Sequence, residues 1–371
     1  MVIATRSQST RLSREGALRL FSFCKLMTVY RTIQRHARES LLRYFKRSIT
    51  ITYVQGLLMW YGYGKDLDLS AFPKAQMFYP AAGVMMAYLI TKKEDKNLPK
   101  TFYIFFVALT AVLVVCTAAS VLAPKNIDLM GTMFSQWGLI LECIMIGGSV
   151  IFWLLLLASG NEKCRVYGLN SGHWNISVLM ILLFIGLYLL RFLIASAFRG
   201  RLSEFGKIMA NPATWSMFFT VLMNFFISVV AFFGEEYGWR YYLQPLLQKK
   251  FGLKGGVILL GCVWAVWHLP IDFFYYTTPD MGLTALASQF VTCISLGLFM
   301  AYTYMKTQNI WVPIIIHFLN NNMAVVFSGT YSADVLQNQQ IHWGDIPVAL
   351  VINLLLFGWV IFLKSFKEKK E

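Results

Sequence analysis

Apolar residues run along this chain in long blocks separated by brief polar joints. About 20 apolar residues in a helix cross roughly 30 Å of hydrocarbon. Blocks approaching or exceeding that length predict spans at 48–63, 76–91, 101–123, 133–159, 176–198, 213–248, 255–271, 284–305, 308–327 and 346–363. The joints are short and charged, as in Lys92-Lys93-Glu94-Asp95-Lys96 and Asn161-Glu162-Lys163-Cys164-Arg165. The alternating ten-residue pattern of an outer-membrane barrel is absent, and no internal repeat or low-complexity stretch occurs. The predicted fold class is all-α, a polytopic transmembrane helical bundle of about ten helices.

One block is too long to be a single span. The 36 residues of 213–248 would reach about 54 Å as a straight helix at 1.5 Å per residue, and Gly234 and Gly238 are the expected places for a bend or break. Composition supports a lipid setting: 57% of residues are hydrophobic and 14% charged, against about 25% charged in soluble domains.

Net charge is +15, and its placement orients the chain. Residues 1–47 hold eleven Lys or Arg against two Glu. Beside a membrane domain such an arm is expected to lie on anionic headgroups rather than on nucleic acid. Leu26, Tyr30, Ile33, Ala37, Leu41 and Tyr44 form one apolar stripe at helical spacing, as in a surface-lying helix; the alternative is that Met27 is the true start. The positive-inside rule places both termini in the cytoplasm, with Lys92–Lys100, Lys249–Lys254, Lys306 and the Lys364–Lys370 tail. The long loops at 272–283 and 328–345 lack Lys and Arg and fall outside, while Arg199, Arg201 and Lys207 fit this scheme badly. The expected location is a cell membrane, with membrane lipids as surroundings. The six cysteines (Cys24, Cys116, Cys143, Cys164, Cys262, Cys293) show neither CxxC pairs nor zinc-ribbon spacing.

Ionisable groups inside a bilayer are costly, so each is a functional candidate. Three sets stand out: Glu235-Glu236 with Arg240, His268, and His317 with Asn321. Glu142 reads equally well as a packing residue. Glu235 lies 14 residues before Lys249 and His268 lies 14 after Lys254, so each sits about 21 Å from that cytoplasmic loop; His317 is about 15 Å from Lys306. Three helices thus bring polar groups to a similar depth. His317 and Asn321 share a face at i, i+4. Glu236 and Arg240 have the favourable i, i+4 ion-pair order, which leaves Glu235 with no evident partner on its own helix and free for acid–base chemistry. A Glu to activate water, a His to hold it, and His and Asn donors for an oxyanion make a coherent set for peptide hydrolysis. Zinc held by Glu235, His268 and His317 is an alternative, although no HExxH pair exists. A binding or transport cavity is another.

Glu235-Glu236-Tyr237-Gly238-Trp239-Arg240 resembles the EExxxR motif of the CAAX protease and bacteriocin-processing family (CPBP, or Abi). Trp264 to His268 is similar to its FxxxH motif, with Trp in place of Phe, and His317 to Asn321 matches its HxxxN motif. The resemblance covers about 213–330. It implies a glutamate-type intramembrane endopeptidase without a metal cofactor, in which Glu235 activates water and His317 and Asn321 form the oxyanion site. Catalytic residues would then be Glu235, His268, His317 and Asn321, supported by Glu236 and Arg240. The implied partner is a peptide or protein substrate, with or without a lipid, or, for a non-catalytic member, a bacteriocin to which it gives immunity. On this reading the chain divides into a basic arm (1–47), N-terminal transmembrane helices (48–200), a CPBP-like catalytic core (201–345), and a last helix with a basic tail (346–371).

Overall fold

The computed structural model describes residues 46, 49–129, 131–331 and 333–367. The surface helix expected in the basic arm lies outside these residues. Among those described, the chain is helical apart from one hairpin. Helix α1 spans 49–63 and is followed by α2 (Ala71–Gln76), α3 (Tyr79–Thr91) and α4 (Lys100–Leu122). An antiparallel pair, β1 (Asn126–Leu129) and β2 (Thr132–Ser135), joins α4 to α5 (Gln136–Ala158). Then come α6 (Asn161–Val166), α7 (Trp174–Phe198), α8 (Leu202–Ala210) and α9 (Pro212–Glu236). A π-helical segment, Tyr237–Leu243, leads into α10 (Gln244–Trp267). The single turn α11 (Leu269–Ile271), a second π-helical turn (Asp272–Tyr276), α12 (Gly282–Thr307), α13 (Trp311–Phe327) and α14 (Asp345–Leu356) complete the bundle.

The ten predicted blocks resolve unequally. Six become five helical stretches long and apolar enough to span a membrane: α4, α5, α7, the Pro212–Trp267 stretch, and Pro279–Thr307. The other four fold as the shorter helices α1, α3, α13 and α14. The block predicted over 133–159 starts as a strand, because Ser135 caps α5 by accepting a hydrogen bond from the Gly138 amide. The last, predicted over 346–363, leaves α-helical geometry after Leu356 for a 3₁₀ turn at Gly358–Phe362. Apolar side chains point outward along the long helices, as lipid allows: Leu157 is 78% exposed, Val115 66% and Phe219 64%.

The long block at 213–248 changes from α- to π-helical geometry at Tyr237, between Gly234 and Gly238, where a bend or break was expected. A Cβ on Gly234 would lie 2.5 Å from the Met77 carbonyl oxygen, and one on Gly238 2.3 Å from Pro80 Cβ. Both glycines therefore let α9 and the π segment close on the start of α3. A second interruption comes at Gly252, in the joint between the blocks predicted over 213–248 and 255–271, where a φ of 75° kinks α10. Glycine adopts that backbone region without steric cost.

Aromatic packing fixes the same junction from the other side. Phe233 packs against Phe152 with ring centres 4.8 Å apart and stacks on Tyr237 at 5.0 Å. The Tyr237 hydroxyl lies 2.6 Å from that of Tyr103 and donates to the Tyr167 carbonyl at 2.8 Å. Glu142 of α5 pairs with Lys74 of α2, which accounts for it as a packing group.

Substituting Gly238→Ala should destabilise the protein by about 1–3 kcal/mol, the usual cost of overpacking. Gly186→Ala in α7, with open space at its Cβ position, should be neutral or stabilise by up to about 1 kcal/mol. Thermal unfolding of the two variants in one detergent checks the pair, and equal melting temperatures would remove the close-approach explanation.

Candidate active site

The chain passes from α9 into the π segment at the acidic pair, so Glu235 and Glu236 sit where the helix widens. Irregular turns of this kind re-aim side chains and recur at functional positions. Glu236 is wholly buried and accepts a hydrogen bond from Arg240 Nε at 2.9 Å, with Arg240 also wholly buried. Its other oxygen, Oε1, accepts from His317 Nδ1 at 2.9 Å. Glu236 thus joins the π segment to α13, beyond the purely local ion pair that its spacing predicts.

Glu235 is 2% exposed, and the sequence-based expectation that it lacks a partner is corrected. Its Oε2 accepts hydrogen bonds from the indole N–H of Trp264 at 2.8 Å and of Trp239 at 3.2 Å. Trp239 is one turn along at i+4, a spacing legible in the sequence. Both bonds fall on Oε2, which leaves Oε1 for another molecule.

Trp264 connects the remaining parts. Its ring lies 4.9 Å from the Arg240 guanidinium carbon, and its carbonyl accepts a hydrogen bond from His268 Nδ1 at 2.7 Å. A carbonyl only accepts, so Nδ1 carries the proton and Nε2 is the free nitrogen. His317 is fixed in the same sense, with Nδ1–H committed to Glu236. Its Nε2 lies 3.5 Å from Asn321 Nδ2, which sets the imidazole and the amide side by side on one face of α13.

A cavity of about 250 Å³ opens beside these groups and is lined by Trp264, His268, His317 and Asn321. Glu235 is not among the lining residues; it is bonded to Trp264, which is, and a carboxylate oxygen lies within 4.8 Å of the His317 ring nitrogen. All four residues singled out by sequence come together, from α9, the end of α10, and α13. Asp272 and Arg191, which the sequence reading did not select, also line the cavity.

The zinc set proposed from sequence does not converge as written. Among the described residues, Glu235, Glu236 and His317 bring ligand atoms within 4.8 Å of one another, and His268 is not in that group. Two of the three already bond to each other, and Glu236 is further engaged by Arg240.

Replacing Arg240 with Met should strand the Glu236 charge in the interior and cost about 3–5 kcal/mol, the usual effect of removing one partner of a buried pair. Adding Glu236→Gln should restore part of that loss. Chemical denaturation of the single and double variants measures the coupling, and strictly additive effects would mean the pair is not a unit.

Comparison with known proteins bears on this same region. Residues 215–323 match the family model described as Type II CAAX prenyl endopeptidase Rce1-like. A CAAX prenyl protease 2 from Methanococcus maripaludis is 26% identical over 183 residues, which cover 46% of this chain and 66% of that relative's length. No solved structure gives a significant match. Residues 215–323, which hold all three motifs and the Glu, His and Asn side chains, are similar to the CPBP family in its Rce1-like form.

Proposed function

We propose that the protein is an intramembrane endopeptidase that hydrolyses a peptide bond with water activated by Glu235. The observation that carries this reading is the convergence of His268, His317 and Asn321 on one cavity, with Glu235 bonded to Trp264 in its wall and within 4.8 Å of His317. In the proposed reaction Glu235 takes a proton from water through its unengaged Oε1, and His268 orients that water through Nε2. The hydroxide adds to the peptide carbonyl carbon. His317, as an imidazolium with a proton on Nε2 as well as on Nδ1, and the Asn321 amide donate to the oxyanion that forms. The intermediate then expels the amine, which leaves with a proton passed from Glu235 or His268. Side chains locked by packing and hydrogen bonds make effective oxyanion donors, because no reorganisation is needed as charge develops.

Glu236 and Arg240 act as support. Their ion pair compensates both charges, and the bond from Glu236 to His317 fixes the imidazole orientation. The protein is read as a multi-pass component of a cell membrane with both termini cytoplasmic, supported by the basic tail and the Lys-free long loops. Its substrate is a peptide or protein presented at that membrane.

A metal-dependent variant of the reaction is a second reading, favoured by the 4.8 Å grouping of Glu235, Glu236 and His317. The guanidinium of Arg240 on Glu236 weighs against it, since a cation there would have to displace or oppose a buried positive charge.

Glu235→Gln in reconstituted protein should abolish peptide release while leaving the melting temperature near that of the parent. Asn321→Ala should lower turnover about 100- to 1,000-fold, as loss of one oxyanion donor does. Comparative proteomics of peptides released by parent and Glu235→Gln protein provides the assay, and undiminished release by the latter would refute the mechanism. Chelation should leave activity intact; loss under chelator that zinc restores would move the assignment to the second reading.

A further inference from the structure

The end of α10, which carries His268, is secured from outside the motif-bearing segment. A helix that stops leaves its last four carbonyls without intrahelical donors, and α10 stops at Trp267. The Trp264 carbonyl takes His268 Nδ1, and that of Ala265 takes the His268 amide at 3.0 Å. Pro270 has no amide hydrogen, so the α-helical donor to the Val266 carbonyl four residues back is missing. In its place the hydroxyl of Tyr53 on α1 donates to that carbonyl at 2.7 Å. The Trp267 carbonyl accepts from Gln76 Nε2 on α2 at 2.8 Å. Only the packing of α1 and α2 brings these two donors to the site.

Both helices are seated closely enough for these bonds to hold position. A Cβ on Gly56, three residues after Tyr53, would lie 2.9 Å from Pro270 Cβ, so α1 presses directly on the proline. Gln76 is 4% exposed, where little water competes for its amide. The next residue, Met77, has its carbonyl oxygen 2.5 Å from the Cβ position of Gly234. Two consecutive residues at the end of α2 thus touch both sides of the proposed reaction. Met77 abuts the residue before Glu235, and Gln76 holds the residue before His268.

We propose that Tyr53 and Gln76 are positioning residues that act through His268, setting its Nε2 where the water activated by Glu235 is held. The assignment rests on the hydrolytic reading above. Neither side chain lines the cavity, so neither meets the substrate. The His268 ring is tied by Nδ1 to the Trp264 carbonyl of its own helix. Any rotation of the 264–268 backbone therefore carries the imidazole with it. Misplacing a reacting group by about 1 Å costs about 100-fold in rate. Tyr53 and Gln76 lie outside the 215–323 segment, so the motif-bearing core depends on α1 and α2 for the placement of one of its own motif residues.

The test follows the His268 imidazole itself. Full-length protein with nitrogen-15 in its histidines is placed in lipid nanodiscs, and His268→Ala identifies the His268 resonances. In the parent, Nδ1 should carry the proton and Nε2 should not, as the bond to Trp264 dictates. Tyr53→Phe and Gln76→Met each remove one donor at nearly constant shape. Each should move the His268 resonances toward a mixture of the two tautomers and slow peptide release about tenfold, the double variant about 100-fold. Gln76→Glu, equal in size but without the donor, should behave as Gln76→Met. Tyr53→Phe loses a single hydroxyl and keeps the test in force should the Gln76 variants not fold. Trp153→Phe removes a bond of the same kind, from the indole to the Phe226 carbonyl at 2.9 Å, and should leave the His268 resonances in place. Unaltered His268 resonances in Tyr53→Phe and Gln76→Met, an equal change in Trp153→Phe, or undiminished release from variants whose resonances have moved overturns the proposal. Undiminished release by His268→Ala would instead count against the hydrolytic reading, with the resonances still reporting whether the two side chains hold the imidazole.

Discussion

Two adjacent carboxylates buried at the end of one transmembrane helix are the constraint around which this bundle is organised. Unshielded, a buried acid is expelled or neutralised. Here each of the two is accommodated by a different kind of partner. Glu236 is held by charge, from Arg240 on the next turn and through the imidazole of His317. Glu235 is held by neutral donors, the indoles of Trp239 and Trp264. That asymmetry separates a carboxylate tied into the scaffold from one whose second oxygen is unengaged, and the proposed division of labour follows from it.

The rest of the fold serves to keep that junction in place. Gly234 and Gly238 bring α3 against α9 and the π segment more closely than any side chain would permit. The Phe152, Phe233 and Tyr237 rings, with the Tyr103 and Tyr167 contacts, brace the opposite side. The widened π turn rotates Tyr237–Leu243 so that Arg240 faces Trp264 and Glu236. Because α13 contributes both His317 and Asn321, its docking against α9 sets the cavity wall in one step. Most of these contacts join the 215–323 segment to the helices before it, through Met77, Pro80, Tyr103, Phe152 and Tyr167. The helices before it add lipid-facing surface and, through α7, a charged group at the cavity.

The proposed chemistry and substrate binding make use of the same environment in different ways. Hydrolysis needs preorganised donors and an unengaged carboxylate oxygen, which the Trp264-centred network supplies. Substrate binding draws on the rest of the cavity lining, to which α7, α12 and α13 all contribute. A low-dielectric cavity strengthens both effects, because each polar contact within it competes with little water.

What the sequence determined by itself was whatever depends on local periodicity and on the cost of charge in lipid. Apolar blocks fixed the helical class. The i, i+4 spacings of Glu236 with Arg240 and of His317 with Asn321 fixed shared faces, and common depth picked out the residues that meet. Span counting was less exact, since apolarity does not fix where a helix starts and stops, as the 13-residue α3 and the 3₁₀ turn after α14 show. Gly234 and Gly238 were legible as special but not as contact points, because a glycine required by a neighbour 150 residues away looks the same as one that bends a helix. The indole donors to Glu235, the bond from Glu236 to His317, and the bonds from Tyr53 and Gln76 to the end of α10 were decided only by tertiary structure. Whether a polar group finds a partner or faces a cavity depends on which helices pack together, and no spacing along the chain encodes that.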